Sequence, residues 1–184
     1  MQLSDIIKKS SNDFKIKNFK DLNITGIQSN SKLIKPNNIF FAINGMRVKG
    51  IDFADAAVND GAVVVVYPTG EVYNNDSVVI IESNDIMKTF GEFLNAFYPE
   101  KPRHIAGVTG TSGKTSVAEF TRQIVQKLGK DCASIGTLGV NFEGSHMKED
   151  TLTMRELVDL HEKLNYLKNE KNIDYVVMEQ TSQG

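Results

Sequence analysis

One glycine-rich stretch constrains the fold of this chain more than any other. Residues 104–116 read HIAGVTGTSGKTS, an apolar run that leads into a loop with Gly110 and Gly113 and then a lysine. The standard phosphate-binding pattern is Gly, four residues, then Gly-Lys-Ser/Thr. That pattern would place its first glycine at Val108, and the nearest earlier glycine, Gly107, is one residue too far upstream. The stretch therefore matches the pattern at all but one position.

The residues around this loop give it the context of an anion site. The pattern predicts a strand over residues 104–108 and a helix over residues 114–128. The helix has one apolar face, formed by Val117, Phe120, Ile124 and Leu128. A loop that ends at a helix N-terminus presents backbone N–H groups and the positive end of the helix dipole to a ligand. Lys114 would then contact the terminal phosphates of a nucleotide, and the hydroxyl of Thr115 would join Mg²⁺. A glycine-rich connection with an incidental lysine is the alternative.

Strands and helices alternate along the whole chain, which is typical of α/β architecture. Strands are predicted at residues 39–43, 62–67, 78–81, 104–108, 133–135 and 174–178. Helices are predicted at residues 52–59, 86–97, 114–128 and 155–168, the second of them capped by Ser83, Asn84 or Asp85. Two prolines in residues 98–103 favour a domain boundary, with domains over residues 1–99 and 103–184. The last predicted strand has no helix after it. Because parallel strands are normally covered on both faces, we expect the second domain to be truncated.

Composition excludes several classes of protein. The 184 residues carry a formal net charge of −2, so no basic excess indicates nucleic-acid binding. No apolar run approaches the length of a membrane span, and the first residues lack the apolar core of a signal peptide. Cys132 is the only cysteine, which excludes an intramolecular disulfide and fits a reducing cytoplasm. The three histidines lack metal-ligand spacing. We expect a cytoplasmic protein without a membrane or nucleic-acid partner.

Four segments resemble one family of ligases. VTGTSGKTS at residues 108–116 is similar to the ATP loop of the Mur ligases, which does not need the upstream glycine. GIQSNSKLIKPNNIFFAINGMRVKGIDF at residues 26–53 resembles the N-terminal domain of the members that extend UDP-N-acetylmuramoyl-L-alanyl-D-glutamate (the MurE type). TLTMRELVDLH at residues 151–161 and MEQTSQG at residues 178–184 are similar to later motifs of the same members. The resemblance covers nearly the whole chain in order.

The resemblance implies roles for three groups of residues. ATP would be held by Gly110, Thr111, Ser112, Gly113, Lys114, Thr115 and Ser116. Lys114 and Glu179 would be catalytic, while Thr115 and Glu179 would hold Mg²⁺. The UDP substrate would contact Ser29, Asn30, Ser31, Met46, Arg47, Val48, Thr153, Met154 and Thr181. The chain departs from the family pattern at Asn30, Lys32, Lys49, Met154, Arg155 and Gln183.

The resemblance also implies an activity. Mur ligases of this type use ATP to join an amino acid to a UDP-N-acetylmuramoyl-dipeptide through an acyl phosphate. The implied fold is a small N-terminal α/β UDP-substrate domain followed by the first part of a P-loop α/β ATP-binding domain, with the C-terminal domain absent. We therefore expect the chain to be inactive alone, and a second chain carrying the missing parts would then be a partner. A folylpolyglutamate synthetase-like ligase and a non-catalytic nucleotide-binding remnant are the alternatives.

Overall fold

The computed structural model describes residues 1–11, 13–142, 145–147 and 157–180 and has the mixed α/β architecture that the sequence predicts. The chain divides into two compact units, Met1–Pro99 and Glu100–Gly184. The division lies inside the proline-containing segment 98–103. Within the described residues, no helix combines the length and apolar character needed to cross a membrane.

The first unit is built on one five-stranded sheet. Its strands are β1 (Phe14–Lys17), β2 (Gly26–Gln28), β3 (Asn38–Phe41), β4 (Ala62–Pro68) and β5 (Val79–Ser83), in the order β1-β5-β4-β3-β2. The last four are mutually parallel, and β1 runs antiparallel to β5. Its helices are α1 (Leu3–Lys8), α2 (Ala54–Asn59) and α3 (Ile86–Phe97), with 3-10 turns at Ser31–Leu33 and Gly50–Phe53.

Both faces of this sheet are covered, which explains why its central strands β3 and β4 are mostly apolar. All four residues of β3 are buried, and β4 has four consecutive buried residues, Val64 to Tyr67. On one face, Phe41 packs against Phe90 and Phe93 of α3, with ring centroids 4.7 and 5.5 Å apart. On the other face, α2 contributes buried alanines to the core.

The local predictions for this unit agree with the structure in their main features. Asp85 caps α3, because its Oδ1 accepts a hydrogen bond from the N–H of Lys88 at 3.0 Å. The predicted helix at residues 52–59 begins as a 3-10 turn and becomes α-helical at Ala54. The predicted strand at residues 39–43 ends earlier, at Phe41. The short elements α1, β1 and β2 were not predicted, because three to six residues carry little periodicity.

The second unit contains another five-stranded sheet. Its strands are β6 (His104–Val108), β7 (Cys132–Gly136), β8 (Gly139–Phe142), β9 (Ser145–Met147) and β10 (Tyr175–Glu179), in the order β6-β10-β7-β8-β9. The first three strands in that order are parallel, and β8 and β9 continue the sheet antiparallel. The helices are α4 (Lys114–Lys127) and α5 (Leu157–Asn169). Strands β8 and β9 were not predicted from the sequence.

The face of helix α4 that packs on the sheet is not the apolar face that the sequence predicts. Ala118 and Arg122 are buried, and Ala118 packs with Cys132 and Val177 of the sheet. The apolar face of α4 is instead exposed, with exposed fractions of 51% for Val117, 62% for Phe120, 59% for Ile124 and 74% for Leu128. The usual rule that an apolar helix face is the packed one fails here.

Candidate nucleotide-binding site

The glycine-rich loop connects the carboxyl end of β6 to the N-terminus of α4. Gly113 precedes the helix with φ +75° and ψ 0°, a left-handed conformation that strains any residue with a Cβ. The N–H of Val117 donates to the carbonyl of Gly113 at 3.0 Å, which closes the first helical turn. The preceding N–H groups, from Lys114 to Ser116, lie at the helix N-terminus without an i−4 carbonyl. This is the geometry of an anion-binding loop.

Lys114 is held within its own loop. Its Nζ donates a hydrogen bond to the carbonyl oxygen of Gly110 at 2.7 Å. The side chain is half-buried, so the ammonium group stays close to the loop backbone and the helix N-terminus. The charge of Lys114 and the backbone N–H groups of the loop are thereby concentrated at the carboxyl end of β6.

Parallel pairing of β10 with β6 brings Glu179 to the same edge. Glu179 lies opposite Val108 in the register, and the N–H of Gln180 donates to the Val108 carbonyl at 2.8 Å. The Glu179 side chain is buried and accepts a hydrogen bond from Thr115 Oγ1 on Oε2 at 3.0 Å. The two residues predicted to hold a metal are thus in direct contact, although they are 64 positions apart.

Two neighbours of Glu179 were missed by sequence reasoning. The backbone N–H of Thr137 donates to Oε1 of Glu179 at 3.2 Å, and Thr137 Oγ1 donates to Oε2 at 3.1 Å. A Cβ on Gly136 would lie 2.1 Å from Oε1, so only glycine leaves room for the carboxylate. The signal was a Gly-Thr pair after a predicted strand, but its partner depends on the pairing of β7 with β10.

The oxygen atoms around Glu179 suit a small hard cation. A carboxylate and two threonine hydroxyls are the ligand types that Mg²⁺ prefers, usually together with water and phosphate oxygens. Over the described ranges, no group of three or more His, Cys, Asp or Glu side chains is positioned to hold a metal ion. The residues present therefore fit Mg²⁺ that arrives with a nucleotide better than a metal held by protein ligands alone.

The predicted UDP-substrate segments of the first unit follow two adjacent parallel strands. Ser29, Asn30 and Ser31 come directly after β2, and residues 46–48 come shortly after β3. Parallel strands end at the same edge of a sheet, where ligands of α/β proteins commonly bind. Asn30 Oδ1 accepts from the N–H of Lys32 at 3.1 Å and so shapes its own turn.

The loop after β3 is held at its base and exposed at its tip. Asn44 Oδ1 accepts from the N–H of Gly50 at 2.8 Å, and Asn44 Nδ2 donates to Glu71 Oε1 at 2.9 Å. Met46, Arg47 and Val48 are exposed. Sequence reasoning missed Asn44 and Glu71, because the contact joins residues 27 positions apart. Thr153, Met154 and Thr181, together with Arg155 and Gln183, lie outside the described residues.

A buried polar network anchors the helix that carries the phosphate loop. The carboxylate of Glu119 accepts hydrogen bonds from Arg122, from Ser134 Oγ at 3.3 Å and from Asn141 Nδ2 at 3.2 Å. The guanidinium of Arg122, with smaller contributions from the hydrogen bonds of Gln123 and Ser134, lowers the pKa of Glu119 to about 2. Because Ser134 and Asn141 belong to β7 and β8, this network ties α4 to the strands beside the site.

Two family models match the chain. Residues 23–98 match the model described as the Mur ligase family, catalytic domain, and residues 108–184 match the Mur ligase middle domain. The chain belongs to the Mur ligase family.

Two curated relatives are each named UDP-N-acetylmuramoyl-L-alanyl-D-glutamate–2,6-diaminopimelate ligase. The one from Rickettsia prowazekii is 36% identical over 169 residues, covering 90% of this chain and 35% of the relative. The one from Mesorhizobium japonicum is 37% identical over 164 residues, covering 89% and 34%.

Solved structures share the fold. A structure of a UDP-N-acetylmuramoyl-L-alanyl-D-glutamate–2,6-diaminopimelate ligase aligns with TM-score 0.66 and 21% identity, over 88% of this chain and 32% of that one. The MurF ligase of Thermotoga maritima in complex with ADP aligns with TM-score 0.57 and 23% identity, over 90% and 34%. The chain therefore spans about a third of the length of the proteins that it matches.

The Glu119 network predicts a specific loss of stability in acid. The folded-state pKa of Glu119 lies below its usual value of 4.5, so its contribution is complete above pH 4.5 and is lost as pH falls towards 2. For this partly screened carboxylate we expect about 2 kcal/mol of unfolding free energy. Urea unfolding between pH 6 and 2.5, followed by a signal from the second unit, should show a steeper loss for wild type than for Glu119→Gln. Glu162→Gln, an exposed position on α5, is the control and should keep the wild-type slope. Equal slopes for wild type and Glu119→Gln would contradict the prediction.

Proposed function

We propose that this chain supplies the ATP-binding and UDP-substrate-binding parts of an ATP-dependent C–N ligase of peptidoglycan precursor synthesis. The observation that carries the proposal is the contact between Thr115, at the start of α4, and the buried carboxylate of Glu179. Through this contact, the glycine-rich loop of a Mur ligase family chain lies beside oxygen atoms of the kind that Mg²⁺ prefers. We propose the cytoplasm as the location, where the single buried cysteine stays reduced.

The proposed reaction makes an amide from a carboxylate, which is a poor acyl donor. A carboxylate oxygen of the substrate attacks the γ-phosphorus of ATP, ADP leaves, and an acyl phosphate forms. The amine of the incoming amino acid then attacks the acyl carbon, and inorganic phosphate leaves with the carboxylate oxygen. Phosphoryl transfer of this kind depends mainly on positioning the reactants and on neutralising phosphate charge.

The second unit has groups that would position the ATP phosphates and neutralise their charge. The loop from Gly110 to Ser116 would surround the phosphates with backbone N–H groups, and the Lys114 ammonium would pair with the terminal phosphates. Thr115 and Glu179 would hold Mg²⁺, which neutralises charge on the transferred phosphoryl group when bound. Thr137 would orient the Glu179 carboxylate through its two hydrogen bonds.

The first unit would hold the remote end of the substrate. Ser29, Asn30, Ser31 and the exposed loop of Met46, Arg47 and Val48 would contact the uridine diphosphate, with the Arg47 cation available to its phosphates. Thr153, Met154 and Thr181 stay predicted contacts of the muramoyl-dipeptide. Binding energy at the uridine end would orient the reacting carboxylate. Because the curated relatives are named 2,6-diaminopimelate ligases, that amino acid is the proposed second substrate.

The proposed ligase needs more polypeptide than this chain contributes. The curated relatives are about three times as long as the part that the chain covers. We propose that the remaining parts, on a second chain or on a longer version of this one, complete the reaction. The match of residues 23–98 to the Mur ligase model favours this reading over a folylpolyglutamate synthetase-like enzyme.

Binding measurements test the two proposed ligand sites separately. Isothermal titration calorimetry should show binding of Mg·ATP and, independently, of UDP-N-acetylmuramoyl-L-alanyl-D-glutamate. Lys114→Ala should weaken Mg·ATP at least about tenfold, because it removes a charged phosphate contact, and should leave the UDP compound unchanged. Lys127→Ala, at the other end of α4, is the matched control. Binding of neither compound would favour a non-catalytic remnant, and ATP binding alone would favour another class of ligase.

Gly136 offers a test of the proposed Mg²⁺ site. Gly136→Ala places a Cβ where the Glu179 carboxylate now lies, so the carboxylate must move away from Thr115. We expect the Mg²⁺ concentration needed for tight ATP binding to rise about tenfold or more, as for other changes around metal ligands. Gly91→Ala on α3 is the matched control, because a Cβ there meets only open space. An unchanged Mg²⁺ dependence for Gly136→Ala would place the metal elsewhere.

Turnover provides the third test. We expect the 184-residue chain alone to release no ADP above background when given Mg·ATP, UDP-muramoyl-dipeptide and 2,6-diaminopimelate. The reason is that it spans about a third of its relatives' length. A coupled ADP-release assay, with each substrate omitted in turn, measures this. ADP release that depends on both the dipeptide and the amino acid would show that the chain is a complete ligase.

A further inference from the structure

The side of α4 that meets the sheet carries a polar stripe. Thr115, Glu119, Arg122 and Gln126 follow one another at intervals of four, three and four residues, which places them on one side of an α-helix. That spacing usually belongs to the apolar residues of a packed helix. Here Arg122 is buried, and the side chain of Glu119 is 21% exposed. Polar side chains thus occupy positions at which α4 contacts the sheet.

Two members of this stripe attach α4 directly to neighbouring strands. Glu119 Oε2 accepts hydrogen bonds from Ser134 Oγ of β7 at 3.3 Å and from Asn141 Nδ2 of β8 at 3.2 Å. At the start of β7, Gln126 Nε2 donates to the carbonyl oxygen of Cys132 at 3.2 Å. Because α4 is attached at two levels of β7, its position along that strand is restrained.

Arg122 connects these two attachments within the helix. Its Nε donates to Glu119 Oε2 at 2.9 Å, and its Nη1 donates to Gln126 Oε1 at 2.6 Å. The apolar contact of α4 with the sheet is small by comparison, since it consists of buried Ala118 with half-buried Val125 beside it. Apolar packing is non-directional, whereas a hydrogen bond weakens steeply when its angle is distorted. The polar contacts therefore determine where α4 lies along β7.

The proposed Mg²⁺ site lies at the N-terminal end of the same stripe. Thr115 precedes Glu119 by one helical turn, and its Oγ1 donates to Glu179 at 3.0 Å. Thr137 donates to the same carboxylate and follows Ser134 by three residues. A displacement of α4 along β7 would therefore move Thr115 away from the Glu179 carboxylate, while Thr137 would stay in place.

We propose that Glu119 is a positioning residue for the nucleotide site. By attaching α4 to Ser134 and Asn141, it holds Thr115 beside Glu179, which is the arrangement that the proposed Mg²⁺ site requires. Glu119 acts through the position of the helix, as the outer partners that orient metal ligands do. The ligand in this inference, Mg·ATP, rests on the proposed function, whereas the attachment of α4 to β7 and β8 does not.

The experiment removes the strand side of the attachment and leaves the helix intact. Ser134→Ala combined with Asn141→Leu takes both strand donors from Glu119, while the ion pair with Arg122 remains. Isothermal titration calorimetry measures ATP binding over a series of Mg²⁺ concentrations and in EDTA. We expect the Mg²⁺ concentration needed for half-maximal ATP binding to rise about tenfold. The affinity for ATP in EDTA should change less than about threefold, because Lys114 and the loop amides are unaltered.

Two control variants separate positioning from other effects. Gln123 Nε2 donates to Glu119 Oε1 at 2.9 Å within the helix, so Gln123→Ala removes a donor from the same carboxylate without touching the sheet. Leu167→Ala removes a fully buried apolar side chain of α5 and lowers the Tm of the second unit. Both variants should keep the wild-type Mg²⁺ dependence. Ser134→Ala alone is the milder variant if the double variant does not fold, and it should raise the Mg²⁺ requirement by a smaller factor.

A measurement without ligand tests the position of Thr115 directly. In a chain labelled with ¹³C at the glutamate Cδ atoms, the NMR signal of Glu179 reports on the hydrogen bonds that its carboxylate accepts. Thr115→Val gives the signal of a carboxylate that has lost this donor. We expect the Glu179 signal of the double variant to move towards that of Thr115→Val. The signal should stay at its wild-type position in Gln123→Ala and Leu167→Ala.

Two results would overturn the proposal. One is a Glu179 signal that the double variant leaves at its wild-type position. The other is an equal rise in the Mg²⁺ requirement for Leu167→Ala, because the effect would then be one of general stability. A wild-type chain that binds no Mg·ATP would contradict the proposed function instead, and the Glu179 signal would still decide whether the Glu119 attachment holds Thr115 in place.

Discussion

The parallel pairing of β10 between β6 and β7 is the constraint on which the candidate site depends. One neighbour of β10, β6, leads into the phosphate loop, and the other, β7, ends at Gly136, directly before Thr137. Glu179, the last residue of β10, therefore meets Thr115 from one side and Thr137 from the other. A shift of one residue in either pairing would turn the carboxylate to the opposite face of the sheet and remove it from the loop.

The burial of Glu179 has an energetic cost that its hydrogen bonds offset. A buried carboxylate is destabilising unless it is hydrogen-bonded, and here three donors from two residues, Thr115 and Thr137, satisfy it. The same three donors fix the position of both oxygens beside the helix N-terminus. In the proposed Mg²⁺ site, a carboxylate held in this way would bind the cation with little change of position. The absence of a Cβ at Gly136 is the steric condition for this arrangement.

The predictions for helix α4 show where sequence reasoning succeeds and where it does not. The strand, loop and helix from His104 to Lys127 were predicted closely, because glycine positions and local periodicity determine them. The buried side of α4 was not predictable in this way. Arg122 is buried because Glu119 neutralises it, while Glu119 depends on Ser134 and Asn141 of other strands. The contacts of Thr137 and Asn44 were not predicted for the same reason, because their partners are distant in sequence and depend on how the strands pair.

The two units differ in how completely their sheets are covered, and this difference bears on stability. In the first unit, aromatic rings of α3 and alanines of α2 cover opposite faces of β3 and β4. In the second unit, the five residues of β6 are ordered but bury little surface. Ordering a residue costs about 1–2 kcal/mol of conformational entropy, which buried apolar area normally offsets. Strand β6 therefore depends mainly on its pairing with β10. Because β6 also leads into the phosphate loop, the order of that loop depends on the pairing of β6 with β10.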